Sequence, residues 1–346
     1  MDNILIFYNN LSKIIKKLKM PFTKSSLTYF SERIDIYKFY LEFLDNQHIR
    51  QCLNILSKNK YSICNNKIIL EKQIGSKSAY GTVFLSKTNK KNPYYLAIKI
   101  IPADKESLNE IKILKLSTKY TINKYTPHFP IMFNSFKCDL KNINNFLPKN
   151  INNKQYTLIL NELAGGDLKM FMKDINNIKN NNLLLNTIVQ IYFSIFTFHK
   201  KIKYNHTDCH DGNFLFHRVP QGGYIKYSIF GEIYYMKNLG YIWVIWDFGL
   251  SSNKYLGYKN FLDYLQIIHA FINKKNDGWI VDNLEFNKDF TNLILDIYYN
   301  IKYKINYDTK HQDEKILNLI VKKTGVLLKK IPYNSLIYND KPFLLI

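Results

Sequence analysis

Carboxylate and amide side chains gather in two short segments of this 346-residue chain. The segment HTDCHDGNFLF carries Asp208 and Asn213, and the segment VIWDFGLSS carries Asp247. Oxygen atoms of carboxylates and amides are the hard ligands that magnesium prefers, and magnesium takes few of them from a protein. Asn213 and Asp247 are therefore candidate magnesium ligands, and Asp208 is a candidate general base.

Two earlier segments add groups that suit phosphate. In IGSKSAYGTVFL, Gly75 and Gly81 stand at a turn between two strand-like runs, and glycine allows backbone amides to approach phosphate oxygens. In AIKI, Lys99 lies on a strand flanked by apolar neighbours. The four segments follow one another in the order that phosphoryl transfer from ATP requires, and their joint occurrence is more specific than any one of them.

This set resembles the eukaryotic-type protein kinases over about residues 67–272. HTDCHDGNFLF is similar to the catalytic loop H-R-D-x-K-x-x-N, VIWDFGLSS contains the D-F-G signature, and NELAGGDL is similar to the connection between kinase lobes. The short segment after Asp247, the missing A-P-E motif and the Asn-, Lys- and Ile-rich composition make the chain most like the divergent serine/threonine kinases of large DNA viruses, of the poxvirus or mimivirus type.

The resemblance implies catalytic and metal-binding roles. Asp208 would accept the proton of the attacking hydroxyl or orient that hydroxyl, and Lys99 would bind the α- and β-phosphates, held by Glu110, with Glu106 as the alternative partner. His210 takes the place of the lysine that protein kinases usually have near the γ-phosphate, as in aminoglycoside and choline kinases. Asn213 and Asp247 would bind magnesium, or manganese in its place.

The resemblance also implies an ATP site. The glycine loop lacks the usual middle glycine and is one residue longer than usual. The residues expected to contact the nucleotide are Gly75, Gly81, Val83, Ala97, Lys99, Glu162, Ala164, Asp167 and Leu215. Main-chain groups from Glu162 to Ala164 would bond adenine, Asp167 would reach the ribose, and Leu215 would form the floor of the adenine pocket.

Other residues are expected to brace this site. His206 would support the catalytic loop, and Asp263 would be the buried helix aspartate that holds the loop in place. Thr207 replaces the arginine that many regulated kinases use to bind a phosphorylated activation loop, so that form of regulation is not expected. The stretch HRVPQGGYIKYSIFGEIYYMKNLGY before Asp247 is longer than usual and predicts an inserted β-hairpin.

Apolar periodicity predicts the elements that carry these residues. Runs of β-rich sequence from Lys67 predict an antiparallel meander, and ADKESLNEIKILKLSTKY predicts an amphipathic helix. LLLNTIVQIYFSIFTFHKKI is apolar on most faces and predicts a buried helix. We therefore predict an α+β, bilobal, protein-kinase-like fold with three parts: a helical N-terminal extension (1–66), a small antiparallel N-lobe (67–162) and a mainly helical C-lobe (163–346).

The first twenty residues could form a basic amphipathic helix on a membrane or a partner, although packing as an ordinary helix is the more common outcome. The net charge of +22 favours contact with acidic partners or anionic surfaces. Without basic clusters interleaved with aromatics, a specific nucleic-acid role is not expected.

Four scattered cysteines without a C-x-x-C pair, and no secretory signal, indicate a reducing compartment. No apolar run is long enough to predict a membrane span. The expected location is cytoplasmic, or in the virion for a viral protein.

Three functions are compatible with the sequence. The first is ATP- and magnesium-dependent transfer to Ser/Thr hydroxyls of protein substrates, where the acceptor type rests on the resemblance. The second is a small-molecule phosphotransferase, favoured by His210 and the short segment after Asp247. The third is a pseudokinase scaffold whose glycine-poor loop does not hold ATP; the intact set of Lys99, Asp208, Asn213 and Asp247 opposes it.

Overall fold

A computed structural model describes most of the chain. The described residues are 28–45, 52–57, 60–75, 81–91, 93–139, 155–254, 256–280, 285–308 and 310–345. Three segments lie outside them: the first twenty residues, for which an amphipathic helix is predicted, residues 76–80 of the glycine loop, and residues 140–154. Within the described residues, no helix is long and apolar enough to cross a membrane.

The first part of the fold is a seven-stranded antiparallel sheet with the order β1-β2-β3-β4-β5-β7-β6. Its strands are β1 (Asn54–Ser57), β2 (Lys60–Ile63), β3 (Ile68–Ile74), β4 (Thr82–Thr88), β5 (Tyr95–Pro102), β6 (Met132–Asp139) and β7 (Gln155–Asn161). The predicted meander from Lys67 is confirmed by β3, β4 and β5, which pair in sequence order. Seven of the eight residues of β5 are buried, so this strand lies in the interior of the sheet.

Helix α1 (Thr28–Asp45) packs against β6 of this sheet. Its buried residues recur at helical spacing, and the ring of Tyr40 stacks on Phe133 with centroids 4.3 Å apart. The helical prediction for residues 1–66 is confirmed for α1 but is wrong for β1 and β2, which extend the sheet. These two strands are only four residues long, too short for apolar periodicity to separate strand from helix.

Helix α2 (Lys105–Ile122) follows β5 directly and confirms the predicted amphipathic helix. Its first turn is fixed by a capping box: Asp104 accepts a hydrogen bond from the Ser107 backbone N–H at 2.8 Å, and the Ser107 hydroxyl accepts one from the Asp104 N–H at 3.0 Å. The cap sets the start of the helix and with it the position of Glu110, which is buried.

The second part of the fold is mainly helical. Its helices are α3 (Leu168–Phe171), α4 (Ile175–Ile178), α5 (Asn181–Thr197), α6 (Asn260–Ile268), α7 (Lys288–Tyr299) and α8 (Gln312–Thr324), with π-helical turns at Phe198–Ile202 and Asn300–Ile305. Fourteen of the seventeen residues of α5 are buried, which confirms the prediction of an interior helix. Short 3-10 turns occur at Asp211–Asn213, His269–Phe271 and Lys274–Asn276.

Two small sheets complete the second part. Strands β8 (Gly166–Asp167), β9 (Phe214–Arg218) and β12 (Tyr241–Ile245) form one sheet and flank the candidate site. The predicted inserted hairpin is confirmed by β10 (Tyr224–Ile229) and β11 (Glu232–Lys237). The short strands β13 (Leu327–Leu328) and β14 (Phe343–Leu344) pair with the two sides of this hairpin. The whole is therefore an α+β architecture.

A disulfide joins Cys52, which lies just before β1, to Cys138 in strand β6. The reducing compartment that the scattered cysteines predicted does not favour such a bond. The partners are 86 residues apart in sequence, so their spacing carried no pairing signal. Cys64 and Cys209 are free thiols, and both are buried.

Candidate active site

The ammonium of Lys99 is the centre of the candidate site. Lys99 lies on β5, in register between Val83 on β4 and Ile159 on β7. Its Nζ donates to Glu110 Oε1 at 2.7 Å and to Asp247 Oδ1 at 2.9 Å. One buried cation thus joins the sheet, helix α2 and the segment after β12.

Glu110, rather than Glu106, is the partner that the structure places beside Lys99. Both glutamates lie on α2, but Glu106 is exposed in the first turn, whereas Glu110 is buried on the side that faces the sheet. The sequence left Glu106 open because Glu110 stands closer to Lys99 along the chain than the resembled family usually has it. The capping box described above decides this choice.

Electrostatic interactions fix the charges of this centre. Burial acts against the ammonium of Lys99, but the carboxylates of Glu110 and Asp247 outweigh it and raise the pKa of Lys99 above its ordinary value. Burial likewise opposes the charge of Asp247, and Lys99 overcomes it, so the pKa of Asp247 is lowered. Lys99 is therefore cationic and Asp247 anionic at neutral pH.

Asp208 and Asn213 lie on one loop and contact each other. The amide Nδ2 of Asn213 donates to the Asp208 carbonyl at 2.9 Å and to Asp208 Oδ2 at 3.0 Å. Since the amide nitrogen makes both bonds, the amide oxygen of Asn213 is the atom left to act as a ligand. The Trp246 N–H donates to the Asn213 carbonyl at 2.8 Å, which ties this loop to the segment that carries Asp247.

The loop is braced from below by Asp263 of α6, as the sequence predicts. Asp263 accepts hydrogen bonds from the backbone N–H groups of His206 at 2.7 Å and Thr207 at 2.9 Å. Thr207 has a φ of +66°, a left-handed conformation that costs a non-glycine residue about 1–2 kcal/mol. The carboxylate bridge stabilises this strained turn, and the residue that follows the turn is Asp208.

His206 and Phe248 connect the loop with the segment after Asp247. His206 Nε2 lies 2.7 Å from the Trp246 carbonyl, and its ring packs on Phe248 with centroids 5.7 Å apart. Asp247, between these two contacts, has a φ of +59°. Left-handed non-glycine residues persist where surrounding contacts hold them, and they concentrate at functional sites.

His210 lies at the open side of the loop, with 44% of its side chain exposed. Its Nδ1 accepts a hydrogen bond from the Gly212 N–H at 3.0 Å, and its Nε2 is 3.6 Å from Asp208 Oδ2. Interaction with Asp211 raises the pKa of His210 against the effect of partial burial, and Asp208 adds to the rise. Because Nδ1 accepts the hydrogen bond from the Gly212 N–H, the proton of the neutral imidazole lies on Nε2, the nitrogen nearer to Asp208.

The residues predicted to contact the nucleotide are distributed over three structural parts. Val83 and Ala97 lie on the adjacent strands β4 and β5, and Leu215 lies on β9 opposite Asp167. Glu162 and Ala164 belong to the hinge segment (residues 162–164), which runs from β7 to β8 without regular structure. The carboxylate of Asp167 accepts from the Met170 N–H at 2.7 Å and so caps α3.

Gly75 and Gly81 flank residues 76–80. Gly75 has a φ of +75°, and a Cβ on Gly81 would lie 2.5 Å from the Ile100 carbonyl oxygen, closer than a real Cβ approaches. Gly81 is therefore required because β4 begins in close contact with β5. This packing reason is separate from phosphate binding, and the sequence pattern could not distinguish the two.

Sequence reasoning missed one strong contact of the hinge segment. The buried guanidinium of Arg33 in α1 pairs with the buried carboxylate of Glu162. A compositional signal existed: of the 49 basic residues only Arg33, Arg50 and Arg218 are arginine. An arginine kept in such a lysine-rich chain points to a site that needs the planar, multi-donor guanidinium.

Comparison with known proteins adds one finding. No protein-family model matches the chain. The chain is similar to the probable serine/threonine-protein kinase 380R of Invertebrate iridescent virus 6, with 25% identity over 242 residues. The match covers 62% of this chain and 44% of that protein, so the chain spans less than half of the relative's length. The similarity indicates a kinase-like relationship.

Proposed function

We propose that this chain is an ATP- and magnesium-dependent protein kinase that transfers the γ-phosphoryl group to serine or threonine hydroxyls. The observation that carries the proposal is the contact of Lys99 with carboxylates from two distant segments, Glu110 and Asp247. Phosphoryl transfer requires positioned charges more than covalent chemistry from the protein. The viral relative named as a probable serine/threonine kinase supports the same reaction class.

In this proposal the protein is bilobal. The seven-stranded sheet with α1 and α2 forms the nucleotide-binding lobe, and the helices from α3 onward form the acceptor-binding lobe. The hinge segment connects them and presents its main chain to adenine, between Ala97 on one side and Leu215 on the other. The buried side chains form two clusters, one between α1 and the large sheet and one centred on α5, which is compatible with two lobes.

The donor atoms of Asp247 and Asn213 fit magnesium. Asp247 offers an anionic carboxylate and Asn213 an amide oxygen, and both are hard ligands. Among the described residues, no group of three His, Cys, Asp or Glu side chains could hold a metal ion without further ligands. Magnesium commonly uses one or two carboxylates together with phosphate oxygens and waters, so this sparse set suits an ion that binds with the nucleotide. Manganese has the same preference for oxygen ligands.

The remaining residues have distinct roles. Lys99 binds the α- and β-phosphates and neutralises part of their charge. Asp208 accepts the proton of the acceptor hydroxyl as that oxygen bonds to the γ-phosphorus. The bond between the γ-phosphorus and the bridging oxygen breaks, and ADP leaves with that oxygen. His210, whose Nε2 lies beside Asp208, donates a hydrogen bond to negative charge on the transferring group.

A second candidate function is favoured by one observation. Helix α6 begins at Asn260, soon after Asp247, so the stretch on which a protein kinase binds its peptide is short. Together with His210, this arrangement suits a small hydroxyl-bearing acceptor. The same phosphotransfer residues would serve that reaction, and only the acceptor would differ.

The test is transfer of γ-labelled phosphate from ATP, with magnesium or manganese, to a basic protein, an acidic protein and a panel of small alcohols. Asp247→Asn is the inactive control, and Asp289→Asn, an exposed aspartate at the start of α7, is the matched active control. We expect label on protein Ser or Thr in the wild type and in Asp289→Asn, and none in Asp247→Asn. Label on alcohols alone would establish the second candidate. No label anywhere, with no thermal stabilisation by ATP, would refute both and favour a pseudokinase scaffold.

A further inference from the structure

Arg33 forms a buried, forked contact with the first residue of the hinge segment. Its Nε donates to Glu162 Oε2 at 2.8 Å, and its Nη2 donates to Glu162 Oε1 at 2.5 Å. The side chains retain 3% and 7% of their exposure. A bidentate pair of this kind fixes orientation as well as distance.

The same guanidinium reaches a second backbone segment. Nη1 donates to the Pro127 carbonyl at 2.8 Å, and Nη2 donates to the Phe129 carbonyl at 2.7 Å. These carbonyls belong to the connection between α2 and β6. Arg33 therefore joins the hinge segment to the loop that follows α2, the helix that carries Glu110.

The carboxylate of Glu162 has further partners besides Arg33. Its Oε1 also accepts from the Ile131 N–H at 2.9 Å and lies 3.4 Å from His217 Nε2 of β9. Burial would raise the pKa of Glu162, but Arg33 and then His217 outweigh it and lower the pKa to about 2. The carboxylate is thus anionic, and the side chain of Glu162 is held in the interior while its main chain forms the hinge.

The position of Arg33 is secured by the helix around it. One end of α1 is packed through Phe30, whose ring lies 5.2 Å from that of Phe343 in β14. The other end is packed through Tyr40 and Leu44 on the large sheet. The helix is therefore anchored on both sides of Arg33.

From these contacts we propose that Arg33 is a positioning residue of the nucleotide site, through which α1 sets the place of the hinge main chain that binds adenine. The inference rests on the proposed function, since it assigns the adenine contact to residues 162–164. It gives α1 a role in ATP recognition without any contact between α1 and the nucleotide. Its specific consequence is that loss of Arg33 weakens binding of the base and leaves binding of the phosphates intact.

The test uses Arg33→Met, which removes the charge, and Arg33→Lys, which keeps the charge but not the fork. Ile63→Ala is the matched control, because Ile63 is a buried residue of β2, and β3, β4 and β5 separate that strand from β7, which leads into the hinge segment. Each variant is studied at a temperature well below its melting point. We measure its affinities for ATP, adenosine and magnesium tripolyphosphate. We also measure kcat and the KM for ATP.

We expect Arg33→Met to weaken ATP and adenosine binding by about tenfold or more, to raise the KM for ATP more than it lowers kcat, and to leave tripolyphosphate binding unchanged. Arg33→Lys should show the same pattern to a smaller extent. Ile63→Ala should lower the melting temperature and leave all three affinities unchanged. If Arg33→Met does not fold, Arg33→Lys decides the question.

Two results would overturn the positioning role. One is unchanged adenosine affinity in both Arg33 variants; the other is an equal loss of tripolyphosphate affinity, which would indicate general loosening of the fold. Either result leaves the proposed kinase function standing if the wild type binds ATP. A wild type that binds neither ATP nor adenosine would refute the proposed function and this inference together.

Discussion

The imidazole of His199 lies 2.8 Å from Asp263 Oδ2, and the Asp263 carboxylate holds the backbone of the loop that carries Asp208. On its other side, His199 Nδ1 lies 2.7 Å from Asp313 Oδ1 of α8. Asp313 also accepts from Asn260 at 2.6 Å and from the Tyr264 hydroxyl at 2.9 Å, and Lys200 lies 3.7 Å from it. The candidate loop is thus supported by a buried ionic network that extends to α8.

This network predicts a pH-dependent stability. Burial opposes the charge of His199, but Asp313 and Asp263 outweigh it and raise the pKa to about 9. The pKa of His199 in the folded protein thus lies above the ordinary value of about 6.5. The charged His199 therefore stabilises the fold fully below about pH 6.5, and this stabilisation is lost as pH rises through about 9. The shift corresponds to about 3 kcal/mol. We expect the melting temperature of the wild type to fall between about pH 7 and pH 9. The His199→Gln variant should be less stable than the wild type at pH 7, and its melting temperature should depend less on pH. Parallel profiles in the two proteins would rule out this assignment.

The two glutamates of α2 provide a matched comparison. Glu110→Gln should lower kcat/KM by about 10- to 100-fold, because it removes the charged hydrogen bond that holds Lys99. Glu106→Gln, an exposed change of the same type on the same helix, should leave kcat/KM unchanged. Steady-state kinetics with ATP as the varied substrate measure both. A larger effect at Glu106 than at Glu110 would contradict the geometry described for Lys99.

Asp208→Ala should separate turnover from nucleotide binding. We expect kcat to fall by about 10²- to 10⁴-fold, the range typical of a lost general base, while the affinity for ATP changes little. Asn213 keeps its hydrogen bond to the residue 208 carbonyl in this variant, so the loop should retain its shape. Turnover and ATP affinity are measured on the same preparation. Unaltered turnover would remove Asp208 from the role of base.

The disulfide between Cys52 and Cys138 predicts a redox-dependent stability. A cross-link that closes a loop of this length stabilises a fold by up to about 4 kcal/mol through the unfolded chain. Reductant should therefore lower the melting temperature of the wild type by several degrees. The double variant Cys52→Ser, Cys138→Ser should melt at the lower temperature from the outset and should not respond to reductant. Equal melting temperatures in all these samples would exclude a stabilising role.

The long helices and strands, and the order of the site segments along the chain, could be predicted from the sequence. Helix α5, the meander of β3 to β5 and the β10–β11 hairpin each have enough residues for their periodicity to be read, and each is present. The family resemblance also implied that Asp263 braces the loop, and its hydrogen bonds to the loop backbone agree with that expectation. These features depend on the apolar periodicity of single segments and on the order of the motifs along the chain.

What the sequence could not predict depends on contacts between distant residues. Strands β1 and β2 are short, and the pairs Arg33–Glu162 and Cys52–Cys138 join residues 129 and 86 positions apart. No local periodicity encodes such pairs. The choice of Glu110 over Glu106 likewise depended on the side-chain cap at Asp104, a detail of one turn.

The distance along the chain between Arg33 and Glu162 has a consequence for synthesis. At typical rates of about 5–20 residues per second, the 129 residues between them take roughly 6–26 s to emerge. For most of that interval α1 lacks both its ion-pair partner and strand β6, against which it packs. Closing so long a loop is entropically unfavourable until the sheet exists. The aromatic side of α1 is therefore a segment that the nascent chain must keep from aggregating until β6 has been made.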